Sequence, residues 1–245
     1  MTRRGTQDRR YPGHACRVCA NHDSGVAPAM FDPDQSIGQG AAPDWKTFET
    51  EADAGPNSKA LSKHLQSVAI SVLAEPSHYS AIERLRNGER LEIRALRPQD
   101  RDDLIAAVSR TSSESLYRRF FAVRRHFTET EQSFYLNIDF ARHVALVALV
   151  DENGQPTIIG GGRYVVDEPG QAEVAFTVVD KYQRQGVGAM LLRHLAIIAR
   201  QAGLRELVAY VLPDNRAMLK VFEKSGLKYS AKRESNSIKV RLGLL

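Results

Sequence analysis

Residues 144–150 form a nearly continuous apolar run, Val-Ala-Leu-Val-Ala-Leu-Val, and Asn153-Gly154 follows almost at once. An Asn-Gly pair readily adopts the two positive φ angles of a tight hairpin turn, so the run is expected to be a strand with its antiparallel return at 157–166. Glu168-Pro169-Gly170 turns the chain again into Ala172–Val179. Three strands in succession, joined by turns this short, make an antiparallel meander.

The flanking segments build outward from that meander. Leu91, Ile93 and Ala95 alternate with charged residues and predict a strand. Pro98 opens a helix through about Ala107, Ser112 or Ser113 can cap a second through Phe121, and Thr128 with Glu131 forms a capping box for a third. Beyond the meander, Val187, Leu191, Leu195, Ile198 and Ala202 fall on one stripe of a helix from about Gly186 to Ala202, which Gly203 stops. A strand at 206–212, a helix capped by Asp214 and running through Lys224 until Gly226 ends it, and weaker strands at 227–230 and 237–242 complete the pattern. The order of elements predicts an α+β fold around one mixed, mostly antiparallel sheet flanked by helices.

Ahead of this region, residues 1–57 are rich in Gly, Pro, Asp, Ser and Gln without apolar periodicity, which predicts a low-order tail. Residues 58–89 read as a helical extension. Leu61, Leu65, Val68, Ala69 and Val72 suit one amphipathic helix, and Tyr79–Arg86 a second that ends at Asn87-Gly88. The domain of interest is then 90–245.

The chain has 42% hydrophobic and 26% charged residues, the composition of an ordinary soluble protein, and lacks both a membrane-length apolar run and a secretory signal. The expected location is the cytoplasm. Its net charge of +5 favours anionic partners only weakly, and no aromatic-basic platform predicts nucleic-acid binding. His14, Cys16, Cys19 and His22 have zinc-ligand chemistry but crowd into nine residues, leaving no loop to wrap a tetrahedron, so no metal is expected. The pairs Arg118/Arg119 and Arg124/Arg125 read as solvated faces.

The chemistry is written in Gln183-Arg184-Gln185-Gly186-Val187-Gly188-Ala189, set between the strand ending at Val179 and the long helix. Such a turn presents unpaired backbone N–H groups and the positive end of a helix dipole, which bind phosphate oxygens. Side chains at 186 and 188 would obstruct a pyrophosphate. No Gly-Lys-Ser/Thr follows, and the first glycine of a dinucleotide fingerprint is missing.

This arrangement resembles the pyrophosphate loop of GNAT acetyltransferases, Q/R-x-x-G-x-G/A between a strand and its following helix. The resemblance implies that acetyl-CoA is the cosubstrate. It also implies that Val178 and Val179 lie along its pantetheine arm, that Arg184, Gln185, Gly186, Val187, Gly188 and Ala189 hold its pyrophosphate, and that Asn215 is a further contact. Arg94–Asp100, Ser113–Phe121 and Ala172–Ala175 are similar to one branch, the bacterial protein lysine acetyltransferases that modify acyl-CoA synthetases. That likeness covers roughly 90–230 and assigns Glu173 as the general base. Many members of the branch carry a large synthetase-like or cyclic-nucleotide-binding domain. Neither fits in the 89 residues before this one, so regulation by those routes is not expected.

A lysine of pKa near 10.4 is neutral only about once in 2,500 molecules at pH 7, so its attack needs a base or a water relay. Both thiols lie in the tail, which argues for direct attack on the thioester rather than an acetyl-cysteine. The N–H of Val178 is the expected donor to the developing oxyanion. The tyrosine that protonates the leaving thiolate in many small-molecule relatives is replaced here by Phe222. Three activities fit: acetylation of protein lysines such as those of an AMP-forming acyl-CoA synthetase, acetylation of a small amine, and non-catalytic acyl-CoA sensing.

Overall fold

The computed structural model describes residues 75–122 and 128–245. Eight strands make one sheet: β1 (Ser80–Arg84), β2 (Arg90–Ala95), β3 (His143–Glu152), β4 (Gln155–Glu168), β5 (Gln171–Val178), β6 (Glu206–Val211), β7 (Lys228–Arg233) and β8 (Ile238–Gly243). Their order across the sheet is β1-β2-β3-β4-β5-β6-β8-β7. The described helices are α1 (Arg101–Ser109), α2 (Ser113–Phe120), α3 (Glu129–Leu136), α4 (Val187–Gln201) and α5 (Arg216–Glu223). The α+β reading and the helix-flanked mixed sheet therefore hold.

The meander forms as its turns dictate, with Asn153 and Gly154 both at positive φ and Asp151 Oδ1 accepting the Gly154 N–H at 2.6 Å. Every neighbouring pair in the sheet is antiparallel except β5 with β6. A Cβ placed on Gly162 of β4 would meet Leu195 of α4, while the next side chain, Arg163, lies over the ring of Tyr135 in α3. Neighbouring strand residues point to opposite faces, so α4 covers one face and α3 the other. The core between them includes Leu91, Ile93, Leu146, Ile158, Tyr164, Leu191, Leu195, Ile198, Leu207 and Phe222, all fully buried.

Helix boundaries follow the caps. Ser112 Oγ accepts the Ser115 N–H at the start of α2, and Thr128 and Glu131 close the reciprocal box at α3. The stretch that opens at Pro98 begins with a 3-10 turn, Pro98–Asp100, before α1. Its Asp100 accepts from Nη1 and Nη2 of Arg94, each at 2.7 Å, which ties β2 to the start of α1.

Two expectations are corrected. Residues 80–84 form a strand rather than a helix, because Asn87-Gly88 is a hairpin turn that returns β1 antiparallel onto β2 from Ser80↔Arg94 to Arg84↔Arg90. Its buried Tyr79, Ala81 and Leu85 join the core. In addition, Asn215, not Asp214, caps α5, its Oδ1 accepting the Met218 N–H at 3.2 Å. The tail at 1–57, the helix at 58–73 and the His14/Cys16/Cys19/His22 set lie outside the described residues. Among the described residues no helix is long and apolar enough to cross a membrane.

Candidate active site

The site begins where β5 and β6 part. Their parallel register runs only through Gln171↔Glu206, Ala172↔Leu207 and Glu173↔Val208, yet β5 continues to Val178 and β6 to Val211. Beyond Glu173 each strand keeps its outer partner, β4 or β8, and a wedge opens between them. The Val179 N–H donates to Ile159 O at 2.9 Å, so alternation turns the N–H and C=O of Val178 and of Phe176 into the wedge. Gln183 Nε2 donates to the Val178 carbonyl at 3.1 Å, leaving the N–H as the group Val178 offers there.

Because β5 and β6 run parallel, the helices that follow them both start at the open end of the wedge. After β5 comes a short 3-10 turn, Asp180–Tyr182, then the loop Gln183–Gly186 and α4. Gly186 stands at φ +98, where a Cβ would be strained and would also press within 3.3 Å of Met190 Cε. Its carbonyl accepts the Met190 N–H at 3.0 Å, which leaves the N–H groups of Val187, Gly188 and Ala189 without an intrahelical acceptor. No side chain caps this end. A Cβ on Gly188 would meet nothing within 4 Å, so the space above those amides is open.

Of the other residues expected at the loop, Val187 is buried and can contribute only its backbone, whereas Arg184 and Ala189 are exposed. Gln185 turns its side chain back, donating to Lys181 O at 3.2 Å. Val179 is buried beneath the end of the strand. Asn215 sits at the N-terminus of α5, its oxygen committed to the cap.

Glu173 occupies the last position of β5 that pairs with β6, at the apex of the wedge, and is 1% exposed. A carboxylate simply solvated on a strand is thereby ruled out. It shares a face with Ala175 and Thr177, which line a cavity of about 100 Å³ between the sheet and α1 to α3, with Leu104, Leu116, Phe120 and Tyr135 on the other walls. Phe222 is buried against Phe176, ring centroids 6.0 Å apart, and brings no hydroxyl to the wedge.

One part of the site had no signature in sequence. Asp180, just past β5, accepts the Ser112 N–H at 2.7 Å and the Ser112 and Ser115 hydroxyls at 2.8 Å. Burial pushes its carboxyl up, but these bonds outweigh burial and hold it below the ordinary aspartate value. Gln183 extends the network to Ser115 Oγ at 2.9 Å. The start of α2 is thus fastened to the end of the wedge strand across 68 positions of chain, a distance over which no local pattern exists. Among the described residues no group of His, Cys, Asp and Glu could hold a metal.

With that geometry in hand, likeness to known proteins is specific. An acetyltransferase from Pseudomonas aeruginosa, PA5475, is 35% identical over 138 residues, covering 56% of this chain and 74% of that protein. Acetyltransferase Pat of Mycolicibacterium smegmatis is 35% identical over 144 residues, 58% of this chain and only 42% of its own length. The crystal structure of the GNAT domain of S. lividans PAT superposes with a TM-score of 0.61 at 32% identity, covering 67% of this chain and 96% of that one. The structure of yncA from Salmonella typhimurium with its cofactor acetyl-CoA shares the fold at 20% identity and a TM-score of 0.51, over 63% of this chain and 94% of that one. Residues 90–228 match the acetyltransferase (GNAT) domain, and the chain belongs to that family of enzymes, with acetyl-CoA as the cosubstrate its fold binds.

Proposed function

We propose that the enzyme acetylates lysine ε-amines of proteins, with an AMP-forming acyl-CoA synthetase as the acceptor of choice. The observation that carries this reading is the wedge, with a buried carboxylate at its apex, backbone N–H donors along one wall and an uncapped helix N-terminus at its mouth. Likeness to Pat and to the S. lividans PAT domain supports a protein acceptor.

The pyrophosphate of acetyl-CoA lies against the amides of 184–189, and Asn215 adds a contact from α5. Its pantetheine runs along Val178 and Val179 into the wedge and brings the thioester beside the wedge-facing N–H groups. Val178 donates to the oxygen on which charge develops as the amine attacks. Glu173 lies five positions before Val178, about 17 Å along the strand, and receives the amine proton through a relay of waters. With Phe222 in place of a phenol, the coenzyme A thiolate leaves unaided or takes its proton from water.

Acetylation removes the positive charge of the target lysine and silences any catalytic role it had. The deciding measurement is mass spectrometry of a purified acyl-CoA synthetase after incubation with the enzyme and labelled acetyl-CoA. The expected result is enzyme-dependent acetyl-lysine. Its absence, alongside brisk acetylation of a free small amine, would move the assignment to a small-molecule acetyltransferase.

A further inference from the structure

The β1–β2 hairpin, whose β1 and turn precede the family-matched segment, reaches across to the donor loop. Arg86, in its turn, donates from Nη1 to the Arg184 carbonyl at 3.0 Å and from its backbone N–H to the Gln185 carbonyl at 3.4 Å. A trans peptide is planar, with C=O and N–H on opposite sides. Holding the carbonyl of Arg184 toward the hairpin therefore aims the N–H of Gln185 the other way, and holding that of Gln185 does the same for the N–H of Gly186. Arg184 stands at φ +62, a region sparsely populated by residues other than glycine, and such a conformation persists only where its surroundings fix it.

The hairpin itself is anchored against α4. Glu83 accepts from His194 Nε2 at 2.9 Å and pairs with Arg193. His194 Nδ1 in turn lies 2.5 Å from the Tyr79 hydroxyl. Both His194 and Tyr79 are buried, so the turn that carries Arg86 has a fixed place relative to the N-terminus of α4.

We propose that Arg86 is a positioning residue of the donor site, its guanidinium pinning the Arg184 carbonyl so that the loop amides converge on the coenzyme's pyrophosphate. This rests on the reading of 184–189 as the donor loop. Removing one such hydrogen bond should weaken donor binding about five- to tenfold. Arg86→Ala in the full chain is expected to raise KM for acetyl-CoA, and Kd for CoA by calorimetry, by that factor, with kcat at saturating donor within about twofold. Arg86→Lys, which keeps one donor, should recover part of the loss. The same factor is expected with acetyl-3′-dephospho-CoA, because the residue acts on the loop and not on the 3′-phosphate. Arg86→Met, which keeps the aliphatic stem, is the second variant should the alanine protein fold poorly. An unchanged KM, a fall confined to kcat, or a loss seen only with the 3′-phosphorylated donor would each overturn the proposal. Failure of the donor-loop reading looks different: wild-type protein would then bind CoA no better than Gly188→Glu.

Discussion

At the scale of the residue, one side chain and one missing side chain divide the work. Gly188 leaves open space above three helix-start amides, so Gly188→Glu puts a carboxylate where phosphates are to bind. Affinity for CoA should fall on the order of 100-fold by calorimetry, while the melting temperature stays nearly constant because nothing packs at that position. Glu173 acts at the other end of the wedge. Its replacement by Gln should lower kcat at least about 100-fold and leave the Kd for acetyl-CoA nearly intact, as expected for a base that serves the acceptor amine through water and makes no contact with the donor. Turnover and binding measured on the same preparation separate the two residues. Gly186 was recognisable in sequence because the turn into the helix needs a positive φ, and Gly188 because a side chain there would obstruct a pyrophosphate. The burial of Glu173 was not, since polar side chains alternate along solvated strands too.

Among the elements, β1 is the instructive one. Read locally, Tyr79–Arg86 resembles a short helix, and Asn87-Gly88 resembles its stop signal. The same dipeptide is also a strong hairpin signal, and the outcome was decided by the neighbour, since β2 offers a strand edge with which 80–84 pairs in register. Burying Tyr79, Ala81 and Leu85 contributes about 5 kcal/mol on area grounds. A chain starting at Glu75 should therefore fold and retain transfer, whereas one starting at Glu89 should show a lower urea midpoint and impaired donor binding. Equal midpoints for the two would show that β1 is an ornament. Residues 1–57 are in any case expected to be dispensable for turnover.

On the scale of the whole molecule, the fold holds one buried histidine neutral. His143 Nε2 lies 3.1 Å from Arg163 Nη1, and its ring stacks on Phe134 with centroids 4.9 Å apart. Burial, reinforced by the Arg163 charge, pushes its pKa down from 6.5 to about 4. The folded value lies below the unfolded one, so the unfolded chain takes up a proton that the folded chain refuses. The stabilisation is complete above about pH 6.5 and is lost as pH falls toward about 4, by up to about 3 kcal/mol. His143→Gln keeps an acceptor for Arg163 and removes the titration, so urea unfolding of this variant should be flatter with pH across that window. Identical pH slopes for the two proteins would contradict the account.

Sequence alone determined what is local. The meander follows from Asn153-Gly154 and Glu168-Pro169-Gly170, α2 and α3 from their caps, α4 from its apolar stripe, and the anion-binding loop from glycines at a strand-to-helix junction. In each case the interacting groups are a few residues apart, so the pattern and the physics coincide. Only the tertiary structure decided what depends on distant partners. The wedge exists because β5 and β6 share just three register positions, while each keeps its outer partner, β4 or β8. Likewise, Ser112 meets Asp180, and Arg86 meets Arg184, through sheet order rather than through any spacing along the chain.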